Sequence, residues 1–295
     1  MTIPLLGVLV LAAATAQSPP VFRSEVEVVR LEVLVTRNGV PVGGLTAADF
    51  EVRDGGTLQT LKPIREEQTP IDVVLALDLS QSVNGTKLEA LRDAAGAFLD
   101  GLHPSVNALN PGEDGERAAL LVFQEQVRLL QPLTPSLGRV RQALQNVTAR
   151  GSTALLDATY SSLRLLEPGP RRTVIVIFSD GLDSLSWLTS AQVVEAAARS
   201  DALIFAVAAR GRGDPENPFL HEVTKATGGR VWTALSEREL RPRFLNALDE
   251  IRSRYLLSYS PEGVDFPGWH PLTVRLKQGK GEVLTRPGYY RAAPR

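Results

Sequence analysis

The sequence predicts an α/β fold built on a doubly wound, mostly parallel sheet, flanked by β segments that form a small β unit. Three observations carry this expectation. The runs "DVVLALD", "AALLVF", "TVIVIFSD" and "ALIFAVAA" are almost continuously apolar, as strands covered on both faces must be. Between them lie stretches that repeat apolar residues at spacings of three and four, the stripe that a helix lays on a sheet. Outside residues 70–253 the chain alternates apolar and polar residues between turn signals, the pattern of half-buried strands.

In chain order, "MTIPLLGVLVLAAATAQSPP" opens with an apolar run shorter than the ~20 residues that span a bilayer. It ends in Ala14-Thr15-Ala16, an A-x-A cleavage pattern, so residues 1–16 are expected to be a secretory signal that leaves no membrane span once cut. Its only positive charge is the terminal amine. Residues 22–66 form the first β segment, with Asn38-Gly39 as a hairpin turn. In residues 70–253 the helices are "KLEALRDAAGAFLDGL", "ALLDATYSSLRLLE" and "AQVVEAAARS". "ALLVFQEQVRLLQPL" reads as two strands turning at Gln124–Gln126, the second an antiparallel edge strand. Ser236 and Glu239 spell a capping box for a last helix to about Arg252, which Pro242 is expected to kink or delay. Residues 254–295 return to strands, with a hairpin turn at Gly279–Gly281, and are expected to pack with 22–66.

Composition removes several classes of function. The formal net charge is −1 and no basic run carries interleaved aromatics, so no nucleic acid is expected as a partner. There is no cysteine, which excludes thiolate metal sites and lipid attachment at a cysteine. An exported chain of this kind, periplasmic or extracellular, must be held together by packing alone.

The chemistry concentrates where apolar strands end. In open α/β sheets, functional residues gather beyond the carboxyl ends of the strands, where the topology reverses. "LALDLSQSVNG" brings Asp78, Ser80 and Ser82 there, "ARGSTALLDA" brings Thr153, and "FSDG" brings Asp180. Two carboxylates and three hydroxyls make a hard-oxygen donor set, suited to Mg²⁺ or Mn²⁺ and poorly suited to zinc.

Asp78-Leu79-Ser80-Gln81-Ser82, Gly151-Ser152-Thr153 and Ser179-Asp180-Gly181 together resemble the metal-ion-dependent adhesion site of von Willebrand factor type A domains. The resemblance covers about Pro70 to Ser253. It implies that Asp78, Ser80, Ser82 and Thr153 are the closest ligands of one Mg²⁺ (or Mn²⁺), that Asp180 acts through a water, and that a protein or other macromolecular ligand supplies a carboxylate. The flanks "VFRSEVEVVRLEVLVTRNGVPVGGLTAADFEVRDGG" and "RYLLSYSP" to "RPGYYR" resemble a bacterial exported group of type A domain proteins.

Other readings compete. Asp78 and the serines could simply cap the following helix, and the β segments could make the contacts of a structural or assembly component of the bacterial envelope in which the metal site is non-essential or degenerate. No enzyme is expected. There is no G-x-S-x-G elbow, and His103, His221 and His270 fall outside the three loops. His221-Glu222 is followed by Lys225 where a zinc-protease helix needs histidine. Asp157 is expected to serve helix and loop backbone, Arg212-Gly213-Asp214 to be a chance tripeptide, and Trp187 to be an interface candidate.

Overall fold

The computed structural model describes residues 28–62, 69–104, 115–166 and 169–291. The expected signal at 1–16 lies outside the described residues, as do residues 22–27 of the first β segment.

The amino-terminal strands are β1 (Val29–Arg37), β2 (Val40–Pro41), β3 (Phe50–Asp54), β4 (Thr57–Leu58) and β5 (Leu61–Lys62). Asn38 and Gly39 both have positive φ, 53° and 77°, the geometry that a two-residue turn between twisted strands requires. The α/β unit follows with β6 (Ile71–Asp78), α1 (Thr86–Asp100), β7 (Arg117–Phe123), β8 (Val127–Thr134), α2 (Leu137–Gln145), α3 (Leu155–Leu165) and β9 (Arg172–Ser179). It continues through α4 (Ser190–Ala198), β10 (Leu203–Ala209), α5 (Pro218–Thr227), β11 (Val231–Ala234) and α6 (Glu237–Arg252). The chain closes with β12 (Tyr255–Tyr259), β13 (Gly268–Leu276), β14 (Glu282–Leu284) and β15 (Gly288–Arg291).

The central sheet runs β11-β10-β9-β6-β7-β8, parallel except for β8, which pairs antiparallel with β7. β6, β7, β9 and β10 are buried on both faces. Val73, Leu75 and Leu77 of β6 point into one core with Leu91, Phe98, Val140, Leu144 and Phe244, under α1, α2 and α6. Val74 and Ala76 point into the other with Leu155, Val193, Leu220 and Val223, under α3, α4 and α5. Because β6 pairs with β7 on one side and β9 on the other, the winding reverses at β6. A crevice therefore opens where β6 and β9 end.

The flanking strands form two small sheets, β14-β1-β12-β5 with β2 beside β1, and β15-β13-β3-β4. They enclose one core of Leu31, Val33, Val35, Phe50, Val52, Leu257, Tyr259 and Val274. Arg172, at the start of β9, ties this unit to the α/β unit through two bonds of 2.7 Å to the Glu32 carboxylate, while a third bond to the Ile251 carbonyl anchors it to α6.

Three details depart from expectation. The turn near Gly279 does not make a hairpin: β13 already has β15 and β3 on its two edges, so β14 crosses to pair with β1. The last helix starts at Glu237 and runs through Pro242, and Ser236 makes no side-chain cap. Glu239 instead accepts the Leu235 N–H and the Arg243 guanidinium. Finally, α2 and β11 were not foreseen.

Candidate metal centre

The crevice is built from the carboxyl ends of two adjacent parallel strands. Asp78 is the last residue of β6 and Leu77 lies in register with Phe178 of β9, so Asp78 and Ser179 face one another. The Ser179 hydroxyl donates to Asp78 Oδ2 at 2.9 Å, and the Ser80 N–H donates to Oδ1 at 2.9 Å. A short 3₁₀ turn, Gln81–Val83, then aims Ser82 back at the same point. The Ser80 and Ser82 hydroxyls lie 3.1 Å apart, and Ser82 donates to Asp180 Oδ1 at 2.8 Å.

Backbone bonds bring in the second loop. The Gln81 N–H donates to the Gly151 carbonyl at 3.0 Å and the Arg150 N–H to the Leu79 carbonyl at 2.8 Å. Gly151 has φ of +72°, and a Cβ there would meet the Glu125 carboxylate at 2.7 Å, so the loop needs glycine at this position. Thr153 is buried just ahead of α3, its N–H bonded to Ser184 Oγ. Asp78, Ser80, Ser82 and Asp180 thus form one chain of side-chain and backbone hydrogen bonds. Thr153 bonds to none of these four; its N–H and carbonyl pair with Ser184 and Leu185, and its loop is tied to the first one at Arg150 and Gly151.

Asp78 is fully buried. Burial pushes its carboxyl up to about 6, further raised by the nearby Asp180 charge and opposed by the Ser80 and Ser179 hydrogen bonds. No Lys, Arg or His bonds to it among the described residues. A buried carboxylate held only by neutral donors is short of a cation, and the hydroxyls beside it suit a hard divalent ion. The residues therefore fit the metal that the resemblance implies. No group of three or more His, Cys, Asp or Glu side chains is placed to hold a metal among the described residues.

Two contributors were missed. Ser179, part of the Ser179-Asp180-Gly181 motif, orients Asp78 through its hydroxyl. Lys87, in the first turn of α1, places Nζ 2.6 Å from Asp180 Oδ2. A cation is disfavoured at a helix N-terminus, and that misplacement was the available signal. Asp157 lies outside this chain: its carboxylate accepts the Trp187 and Leu188 N–H groups, each at 3.0 Å. Those bonds hold Trp187 on the rim with its side chain outward and the residue 95% exposed. Arg212-Gly213-Asp214 closes a local turn, with the Asp214 carboxylate on the Gly211 N–H. His270 is buried in the β unit, and His221 pairs with Glu216.

Residues 73–182 match the sequence model of the von Willebrand factor type A domain, a span that contains all five residues of the candidate site. No curated protein matches the chain. Among solved structures, the chain is similar to a von Willebrand factor type A protein from Catenulispora acidiphila, with TM-score 0.53, 14% identity, and coverage of 92% of this chain and 75% of that one. It is also similar to proximal thread matrix protein 1 from the mussel byssus, solved with a zinc-occupied adhesion-site motif, with TM-score 0.54 and 17% identity. That match covers 64% of this chain and 47% of the mussel protein, so the chain spans about half the length of that relative. At these identities the structural likenesses speak to fold. Together with the sequence match over residues 73–182, they show that the central α/β unit of this chain has the fold of von Willebrand factor type A domains.

Proposed function

We propose that this chain is an exported binding module that holds one divalent cation, Mg²⁺ or Mn²⁺, at its rim and captures a carboxylate of a protein or other macromolecular ligand. The observation that carries the reading is the buried Asp78 carboxylate, without a cationic partner, at the switch point of the sheet. Asp78, Ser80, Ser82 and Thr153 would hold the ion, and Asp180 would hold a water beside it. When bound, the ion supplies a Lewis-acidic position that an incoming carboxylate can fill. The neutral hydroxyls keep the donor set low in charge, and Ser179 orients Asp78.

Binding rather than catalysis is favoured because none of the three histidines bonds to any of the five site residues. The leader pattern at 1–16 supports export. No helix among the described residues is long and apolar enough to cross a membrane.

The test is thermal. An ion that binds only the native state stabilises it by RT ln(1 + [L]/Kd), about 2.7 kcal/mol at a hundredfold excess over Kd. The melting midpoint is expected to rise with millimolar Mg²⁺ or Mn²⁺ and to return with chelator; an indifferent midpoint refutes the reading. The rim offers a second handle. Trp187 projects from a loop that Asp157 already holds, so little conformational freedom remains to be lost on docking, and aromatic anchors of this kind dominate interfaces. Trp187→Ala is expected to weaken capture of the macromolecular ligand at least tenfold, measured by surface plasmon resonance, while leaving the metal-induced midpoint shift intact.

A further inference from the structure

Lys87 is the one cation in direct contact with the candidate centre among the described residues. Its Nζ lies 2.6 Å from Asp180 Oδ2, while Ser82 occupies Asp180 Oδ1 at 2.8 Å. Both oxygens of Asp180 are therefore engaged. The Asp180 side chain is only 2% exposed, and that of Lys87 is 28% exposed, so the contact is partly shielded from solvent and salt. Asp78, on the other side of the serines, has no such partner.

The formal charges give the contact a meaning. Two carboxylates and one ammonium leave the centre with a single negative charge before an ion enters. A divalent cation would reverse that to a single positive charge. Were position 87 neutral, the same centre would begin doubly negative, attract the ion more strongly, and become neutral once loaded. A neutral centre has little need of an external anion.

We infer that Lys87 sets the charge of the centre: it loosens the hold on the divalent cation and leaves the loaded site in need of the partner's carboxylate. The inference rests on the metal-binding reading above and adds to it a reason for recruiting an acidic ligand. Lys87 is a positioning and charge-setting residue that acts through Asp180. A purely structural role, holding Asp180 in place, would give the opposite sign, because losing the contact would then weaken ion binding.

The experiment titrates the full-length protein with Mn²⁺, followed by electron paramagnetic resonance of the free ion, with and without acetate as the probe carboxylate and at matched free Mn²⁺. Lys87→Met is expected to bind Mn²⁺ roughly fivefold more tightly, as suits the loss of one partly screened like charge. By linkage, acetate should raise Mn²⁺ affinity in the wild-type protein and lose that effect in Lys87→Met. Lys87→Arg should keep wild-type behaviour in both measurements. Lys87→Gln provides a second neutral replacement should the methionine variant fold poorly. Unchanged or weaker Mn²⁺ binding by the neutral variants overturns the role of Lys87, as does an acetate effect that survives in them. Absence of Mn²⁺ binding in both wild type and neutral variants instead overturns the metal-binding reading itself. Binding by the neutral variants alone supports Lys87 in its strongest form, as a tethered cation that outcompetes the ion.

Discussion

Replacing Asp78 with asparagine is expected to raise the melting midpoint of the metal-free protein while abolishing its response to Mg²⁺ and Mn²⁺. Burial raises the Asp78 carboxyl from 3.8 to about 6 in the folded protein. The folded state therefore holds that proton more tightly than the unfolded chain does. The stability associated with the protonated group is fully present below 3.8 and is lost as the pH rises through about 6. Above that, keeping Asp78 ionised costs on the order of 3 kcal/mol in the absence of a cation. Asparagine keeps the acceptor for the Ser80 N–H and carries no charge, so the penalty disappears along with the anchor for the ion. Urea unfolding at pH 5 and pH 7.5, with chelator present, checks this. Metal-free wild type should lose stability between the two values and Asp78→Asn should lose less. A variant less stable than wild type at pH 7.5, or equally responsive to Mn²⁺, sinks the account.

The second large effect lies at the far end of the molecule. Removing the His270 side chain is expected to cost about 3–5 kcal/mol, the range for deleting a fully buried ring and leaving a buried polar partner short of a hydrogen bond. Asp54 and His270 are both completely buried. Asp54 accepts the Tyr259 and Tyr289 hydroxyls on Oδ2, at 2.9 and 2.8 Å, and faces His270 Nδ1 from Oδ1 at 2.8 Å. His270 Nε2 reaches the Phe266 carbonyl at 2.7 Å, and the imidazole stacks on the Phe266 ring with centroids 4.2 Å apart. Burial, then the Asp54 charge, push Tyr259 above its ordinary range, so its hydroxyl remains a donor. With His270→Ala the carboxylate loses a partner in a place that water does not reach. Denaturant unfolding of His270→Ala, Asp54→Ala and the double variant measures the cost and the coupling. A loss below 1 kcal/mol in His270→Ala would falsify the claim that this cluster holds the β unit together.

What the sequence disclosed follows from how local each signal is. β6, β7, β9 and β10 were legible because strands buried on both faces carry continuous apolar runs. The edge strand β8 was legible because a polar turn separates it from β7. By contrast, α2 spaces Leu137, Val140 and Leu144 as a helix does but is only nine residues long, and β11 is four residues long and mostly half-buried, so both runs are too short to stand out from their surroundings. β14 was assigned to the wrong partner because which edge of β13 is free depends on β3 and β15. At the rim, residue types at strand ends were readable, and the structure brings Asp78, Ser80, Ser82 and Asp180 together. The contact of Lys87 with Asp180 spans 93 residues and that of Ser179 with Asp78 spans 101. The Asp54 cluster joins groups 205 to 235 residues apart, and no spacing rule reaches so far.

The pairing of β1 with β12 also sets an order of events during synthesis. Glu32 and Arg254 are bonded partners separated by 222 residues, and at roughly 5–20 residues per second the first strand waits some tens of seconds for its neighbour to be made. The α/β unit can close within 71–252 in that interval, since its sheet uses nothing outside that span. Leu31, Val33 and Val35, buried in the finished molecule, lack their strand partners on β12 and β14 throughout. Such high contact order makes closure of the β unit the slow, late step, and an unpaired apolar strand is the species that aggregates. A chain ending before Tyr255 would thus be left with a folded α/β unit and an adhesive loose end.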